Sequence, residues 1–88
     1  MSKYIIVLSK NAQKTLDNLS DYIAEPVFNA ISRLEDDPRP TGYKKLKNRN
    51  AYRIRAGNYC IIYEIIDNKL IISIIAIGHR KDVYKNFS

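Results

Sequence analysis

An α+β fold follows from three features of the sequence. There is a β-branched run near the N-terminus, two segments with apolar residues at helical spacing between residues 11 and 34, and three strand-like runs separated by short polar turns between residues 51 and 77. The predicted order is β-α-α-β-β-β, an antiparallel sheet ending in a meander, with the helical hairpin packed on one face. Eighty-eight residues build one apolar core, so residues 1–88 are expected to form a single domain.

The first strand is "KYIIVLS" (3–9), too short and too β-branched for a helix, and Ser9 can cap a helix beginning just after it. From Asn11 the residues Ala12, Leu16 and Leu19 recur at helical spacing; Val27, Ala30, Ile31 and Leu34 do the same further on. Pro26 interrupts the second pattern, because an interior proline removes a backbone donor and clashes with the preceding turn. The second helix therefore either starts near Pro26 or is kinked there, and the later start is the preferred reading. "DDPRPTG" (36–42) ends it, and "YKKLKNRN" (43–50) is a basic connection with little periodicity. "AYRIRA" (51–56) alternates, with Tyr52 and Ile54 on one face and Arg53 and Arg55 on the other. "GN" turns the chain into "YCIIYEII" (59–66), and "DNK" turns it again into "LIISIIAI" (70–77), a strand apolar on both faces and hence covered on both.

Residues 1–40 carry five Lys/Arg against six Asp/Glu, a net of −1, whereas residues 41–88 carry ten against three, a net of +7. Concentrating the charge in one half predicts a one-sided field that attracts polyanions such as RNA, DNA or an acidic peptide. No apolar run approaches the roughly 20 residues of a membrane span, and the N-terminal run is too short for a secretory signal, so the expected location is the cytoplasm. Cys60 is the only cysteine, which excludes an internal disulfide and argues against a structural metal site. No cofactor is implied.

Arg53 and Arg55, as alternate residues of a strand, lie about 7 Å apart on the face away from the helices, a spacing that suits successive phosphates. Two arginines there also serve simply to solvate a sheet. Lys44, Lys45, Lys47 and Arg49 lie just upstream and can continue the stripe, or be only a solvated loop. "IGHRKDVY" (77–84) places His79, Arg80 and Tyr84 after the most apolar strand. A neutral imidazole can accept a proton, a guanidinium can stabilise developing negative charge, and a phenol can orient or donate. Cleavage of RNA by its own 2′-hydroxyl needs those three jobs and no metal. The arrangement works only if the His-Arg-Tyr group shares one surface with the paired arginines.

"DPRPTGYKKLK", "YRIRAGNY", "IIYEI" and "IGHRKDVYK", in that order after a strand and two helices, resemble the toxins of RelE/ParE type II toxin-antitoxin systems, more closely the RelE branch. The resemblance covers essentially the whole chain. It implies a microbial-ribonuclease-like fold with an open basic sheet face, and a ribosome-dependent endoribonuclease that cuts messenger RNA and is silenced by a cognate antitoxin. Arg53 and Arg55 fall at basic strand positions tied to RNA binding and catalysis. Arg80 falls where an arginine contacts the reacting phosphate, and Tyr84 where a tyrosine orients the nucleotide. Because a guanidinium is a poor proton acceptor, the base role, if there is one, goes to His79.

Cys60 departs from the pattern, which usually has arginine there to help hold the scissile phosphate. Losing one charge-assisted contact costs on the order of 1.5 to 3 kcal/mol, roughly 10- to 150-fold in rate, so the expected activity is attenuated. A reactive-thiol role is disfavoured because no carboxylate-histidine pair is evident around Cys60. Two alternatives stand beside the nuclease: a ParE-like toxin that binds DNA gyrase without catalysis, and an inactive variant that still binds antitoxin.

Overall fold

The computed structural model describes the backbone of residues 3–47 and 49–87 and side chains as far as Val83. The elements are β1 (Ile5–Leu8), α1 (Lys10–Asn18), α2 (Asp21–Arg33), β2 (Lys44–Lys45), β3 (Tyr52–Ala56), β4 (Tyr59–Ile66), a 3₁₀ turn (Asp67–Lys69), β5 (Ile71–His79) and α3 (Arg80–Phe87). The strands form one sheet in the order β1-β5-β4-β3-β2. The expected α+β architecture is present, with β3, β4 and β5 as the antiparallel meander. β1 is the exception to antiparallel pairing, lying parallel to β5 with Ile5 opposite Ile71.

Ser9 caps α1, its Oγ accepting from the Ala12 amide at 3.0 Å and donating to the Ile75 carbonyl at 2.8 Å. The helix start is thereby tied to the strand Ile71–His79, β5. α2 begins earlier than expected and runs unbroken through Pro26. Its first turn closes on the Ser20 carbonyl, which accepts from the amides of Ile23 and Ala24 at 3.0 and 2.8 Å. Pro26 is exposed, as is Tyr22 one turn earlier, so the Tyr22 carbonyl that loses its helical partner can be hydrated. That position lowers the cost of an interior proline, about 3 kcal/mol in a buried helix interior, and is why the helix need not wait for Pro26 to start.

Both helices cover one face of the sheet. There Ala12, Val27, Ile31 and Leu34 pack on Ile54, Ile61, Tyr63, Ile72, Ile74 and Ile77. The far face carries a smaller cluster of Ala51, Cys60, Ile62, Ala76 and Val83. Val83 belongs to α3, which is the second cover that the doubly apolar β5 requires. The C-terminal segment, to which the strand pattern assigns no structure, is thus a helix docked on the far face.

A β-bulge controls which side chains share a face. Ile62 pairs with Ala76 but Tyr63 pairs with Ile74, which leaves Ile75 as an extra residue in β5. Residues 72 and 74 face the helices before the bulge, and residues 77 and 79 face them after it. The one-residue insertion reverses the parity of everything downstream.

Tyr63 is fully buried and donates its hydroxyl to the Pro38 carbonyl at 2.7 Å, anchoring the 36–42 loop. Burial pushes its phenol well above the ordinary value of 10.0. The folded state therefore keeps the proton after the unfolded chain has lost it, so this stabilisation is complete below pH 10.0 and is lost as pH rises beyond it. Tyr63→Phe is expected to flatten the alkaline limb of a urea-unfolding series and to lower stability near neutrality by about 1 kcal/mol. An identical alkaline limb in both chains would count against the buried phenol as its cause.

Candidate nucleic-acid interface

Cross-strand register places the candidate residues. Arg55 lies opposite Cys60, and Cys60 opposite Gly78, so these three form a row across β3, β4 and β5 on the far face. Two strand spacings of about 4.8 Å separate the ends of that row. Arg53 lies opposite Ile62, one row away on the same face. Arg55 is exposed at the edge of the row. Arg80, also exposed, opens α3 two residues beyond Gly78, and its amide donates to the Asn58 carbonyl at 2.9 Å. Arg55 and the start of α3 therefore stand at one end of one face.

The structure corrects the placements of Arg53 and His79 and settles that of Cys60. Arg53 is 5% exposed rather than displayed on an open face. Cys60 is wholly buried, in the cluster that Val83 covers. His79 does not share the surface of the arginines, so the condition set for the His-Arg-Tyr arrangement fails for its histidine. It pairs with Tyr59, its ring meets the Tyr59 ring edge-on at 5.7 Å, and both line a hollow against Tyr22, Pro26 and Asn29 of α2. The bulge at Ile75 is the physical reason, since strict alternation from Ile72 would have turned His79 to the far face. Its Nδ1 accepts from the Lys81 amide at 3.4 Å, a long bond at the first turn of α3. Tyr84 belongs to α3, but its side chain lies outside the described residues.

The upstream cations divide. Lys44 lies opposite Arg53 and extends the basic stripe to the sheet edge, whereas Lys45 lies opposite Tyr52, on the helix side. Lys47 and Arg49 are exposed in a loop closed by the Leu46 amide donating to the Ala51 carbonyl at 2.9 Å. Sequence reasoning missed Arg33. It lines a hollow of about 360 Å³ with Lys44, Arg53 and Arg55. The signal was present in the helical period, which sets Arg33 one turn after Ala30 on the sheet-facing side.

Displaced pKa values point elsewhere. Asp67 is held below the usual carboxylate range by hydrogen bonds from Arg39 and Tyr4, at 3.0 and 2.7 Å. That group, with Arg39 over the Tyr52 ring, ties the 36–42 loop to the turn after β4. It is a structural clamp rather than a proton-transfer site. Among the described residues no three His, Cys, Asp or Glu side chains are grouped to hold a metal ion, and no helix is long and apolar enough to cross a membrane.

Gly78 is what lets α3 sit down. A Cβ there would come within 2.5 Å of Val83 Cγ2. Gly78→Ala is expected to lift α3, to cost about 1 to 3 kcal/mol, and to speed labelling of the Cys60 thiol by an aromatic disulfide reagent. Unchanged labelling would mean that α3 adjusts without leaving the sheet.

Comparison with known proteins identifies the family and the fold. The family profile described as the ParE toxin of type II toxin-antitoxin system, parDE, matches residues 6–84. An Escherichia coli protein described as a putative RelE-like toxin is 28% identical over 86 residues, covering 93% of this chain and 90% of its own. The RelE of a Methanococcus jannaschii RelB-RelE antitoxin-toxin complex superposes with a TM-score of 0.71 at 28% identity, over 93% of this chain and 99% of that one. The archaeal RelE of a Pyrococcus horikoshii RelE-RelB complex gives 0.78 at 25% identity, over 89% and 96%. A profile that spans residues 6–84, together with the shared α+β fold of RelE relatives, makes this protein a toxin of the RelE/ParE superfamily of type II toxin-antitoxin systems.

Proposed function

We propose that this toxin is a ribosome-dependent endoribonuclease that cuts messenger RNA by attack of the 2′-hydroxyl, and that a cognate antitoxin silences it. The observation that carries the reading is the far-face row, with Arg55 exposed at one end and α3, headed by Arg80, at the other. A phosphodiester seated at the end of this face, beside α3 rather than over the covered Cys60 and Gly78, meets the exposed guanidinium of Arg55 from one side and that of Arg80 from the other. As the 2′-oxygen bonds to phosphorus and the 5′-oxygen leaves, charge builds on the phosphoryl oxygens, and both cations are placed to stabilise it. The 2′-proton passes to solvent and the 5′-oxygen takes one back. The ribosome supplies in-line alignment, which so shallow a surface cannot enforce. Tyr84 on α3 is the candidate for orienting the nucleotide, and Arg53, Lys44, Lys47 and Arg49 for holding the strand.

With its ring on the helix side, His79 serves as a positioning residue for the first turn of α3 and so for Arg80. His79→Gln is expected to lower the cleavage rate about 5-fold, the worth of a lost cap, and to leave the shape of the pH profile unchanged. Disappearance of a limb near neutral pH would return the imidazole to the chemistry.

The ParE profile over residues 6–84 favours a second reading, binding of DNA gyrase without catalysis. Inducing the chain and mapping RNA ends on translating ribosomes tests the first reading. Cut messages with unaffected supercoiling are expected, and blocked supercoiling with intact messages would replace the nuclease with the gyrase binder. The antitoxin complexes among the structural relatives support an antitoxin partner. Co-expression with a cognate antitoxin should restore growth.

A further inference from the structure

We infer that the hollow where α2 meets the β3–β4 turn is a nucleobase subsite for single-stranded RNA, and that it selects bases carrying an exocyclic amino group. This rests on the nuclease reading and adds base selection beside the phosphate-holding end of the far face. The hollow encloses about 710 Å³, within the roughly 300–1,000 Å³ of small-ligand sites. Tyr22, Tyr59 and His79 supply aromatic surface, and Glu25, Asn29 and Asn58 supply polar groups. No lysine or arginine is among its described lining, so a phosphate has no counter-charge there. Rings with amide and carboxylate groups beside them are the means by which proteins hold the splayed-out bases of single-stranded RNA.

One wall comes from α2. Tyr22, Glu25, Pro26 and Asn29 recur at intervals of three and four residues, and all four are exposed, so they form one stripe outside the face that packs on the sheet. Tyr22 is 91% exposed, a large ring that the core does not use. Pro26 has no N–H to give the Tyr22 carbonyl. That carbonyl and the Glu25 carboxylate are thus two acceptors within one turn of α2. Adenine, cytosine and guanine each carry an amino group that donates to such acceptors, whereas uracil carries none and sets its carbonyls against the carboxylate. The other wall ties the hollow to the reacting end of the sheet. His79 immediately precedes Arg80, and the Asn58 carbonyl accepts from the Arg80 amide at 2.9 Å. Gly57, in the turn, has nothing within 4 Å of where a Cβ would stand, which leaves a clear path over it. An RNA held by its phosphate at Arg80 crosses this turn and lays a neighbouring base in the hollow.

The test is the affinity of the full chain for a fluorescent uridine heptamer, and for the same RNA with one adenosine, cytidine or guanosine stepped along it. The unsubstituted protein should bind the amino-bearing RNAs about 5-fold more tightly, the scale of one hydrogen bond. Glu25→Gln should level them, because its amide offers uracil a donor. Tyr22→Ala should weaken the preferred RNAs by about 5-fold, the lower end for a lost base-aromatic stack. Phe28→Ala and Asp21→Asn, exposed changes on the same helix outside the hollow, should alter neither affinity nor preference. A flanking-base bias in mapped message cuts that vanishes with Glu25→Gln assigns the base to the message; an oligonucleotide preference with an unchanged bias assigns it to ribosomal RNA. Equal affinity of the unsubstituted protein for all the RNAs, or an effect of Tyr22→Ala no larger than that of Phe28→Ala, overturns the subsite. Weakened antitoxin binding by Tyr22→Ala with RNA affinity intact also overturns it, and gives the hollow to the antitoxin. Absence of cleavage on ribosomes by the unsubstituted chain overturns the nuclease reading instead, and it does so independently of these affinities.

Discussion

Arg55→Ala and Arg80→Ala are each expected to slow cleavage of ribosome-bound message by roughly 10- to 150-fold, the rate equivalent of a lost charge-assisted contact. Single-turnover measurement at saturating ribosomes is the appropriate check, because it separates the chemical step from docking. The double variant should fall by less than the product of the two, since both cations act on one phosphate and their contributions are coupled. Arg55→Lys should recover part of the loss, as a point charge lacks the bidentate fork of a guanidinium. Both arginines are exposed, so neither change removes packing from the core. Rates within about 2-fold of the unsubstituted chain for both single variants would sink the assignment of the far-face row as the reacting surface.

Cys60→Arg is expected to lower stability by on the order of 3 kcal/mol, in the range for an uncompensated buried charge. For a domain of this size that is a fall in melting temperature of about 12 to 24 °C. Cys60 has no exposed surface, lies under Val83, and faces Arg55 directly across the β3–β4 pair. An arginine there must either bury its charge beside another guanidinium or push α3 off the sheet. Cys60→Ser should cost only about 1 kcal/mol, the scale of a small polar replacement. Growth arrest alone would confuse chemistry with folding, so cleavage by the arginine variant is to be measured per folded molecule. An unchanged melting temperature would show that α3 does not seal position 60.

Much of this molecule is legible in one dimension. The β-branched run before Ser9, the cap itself, and the full span of β4 follow from local pattern, because propensity and capping act over a few residues. The face shared by Arg53 and Arg55 likewise follows from a period of two. Pro26 shows the limit of local rules, since the cost of a proline depends on whether water reaches the carbonyl it orphans. The burial of Cys60 was hidden for a related reason: the part of the far face on which it lies is closed by Val83 of α3, an element far along the chain.

The sequence by itself determined β1, the presence of two N-terminal helices and the β3–β5 meander, the concentration of positive charge in the second half, and the pairing of arginines on one side of β3, but neither β2 nor α3. Only the tertiary structure decided which candidates meet. One extra residue at Ile75, held by the hydroxyl of Ser9, reverses the alternation of β5 and sends His79 to the helices while Gly78 turns toward Arg55. A bulge is set by pairing with a neighbouring strand and by anchoring from another helix, so no periodicity within β5 announces it.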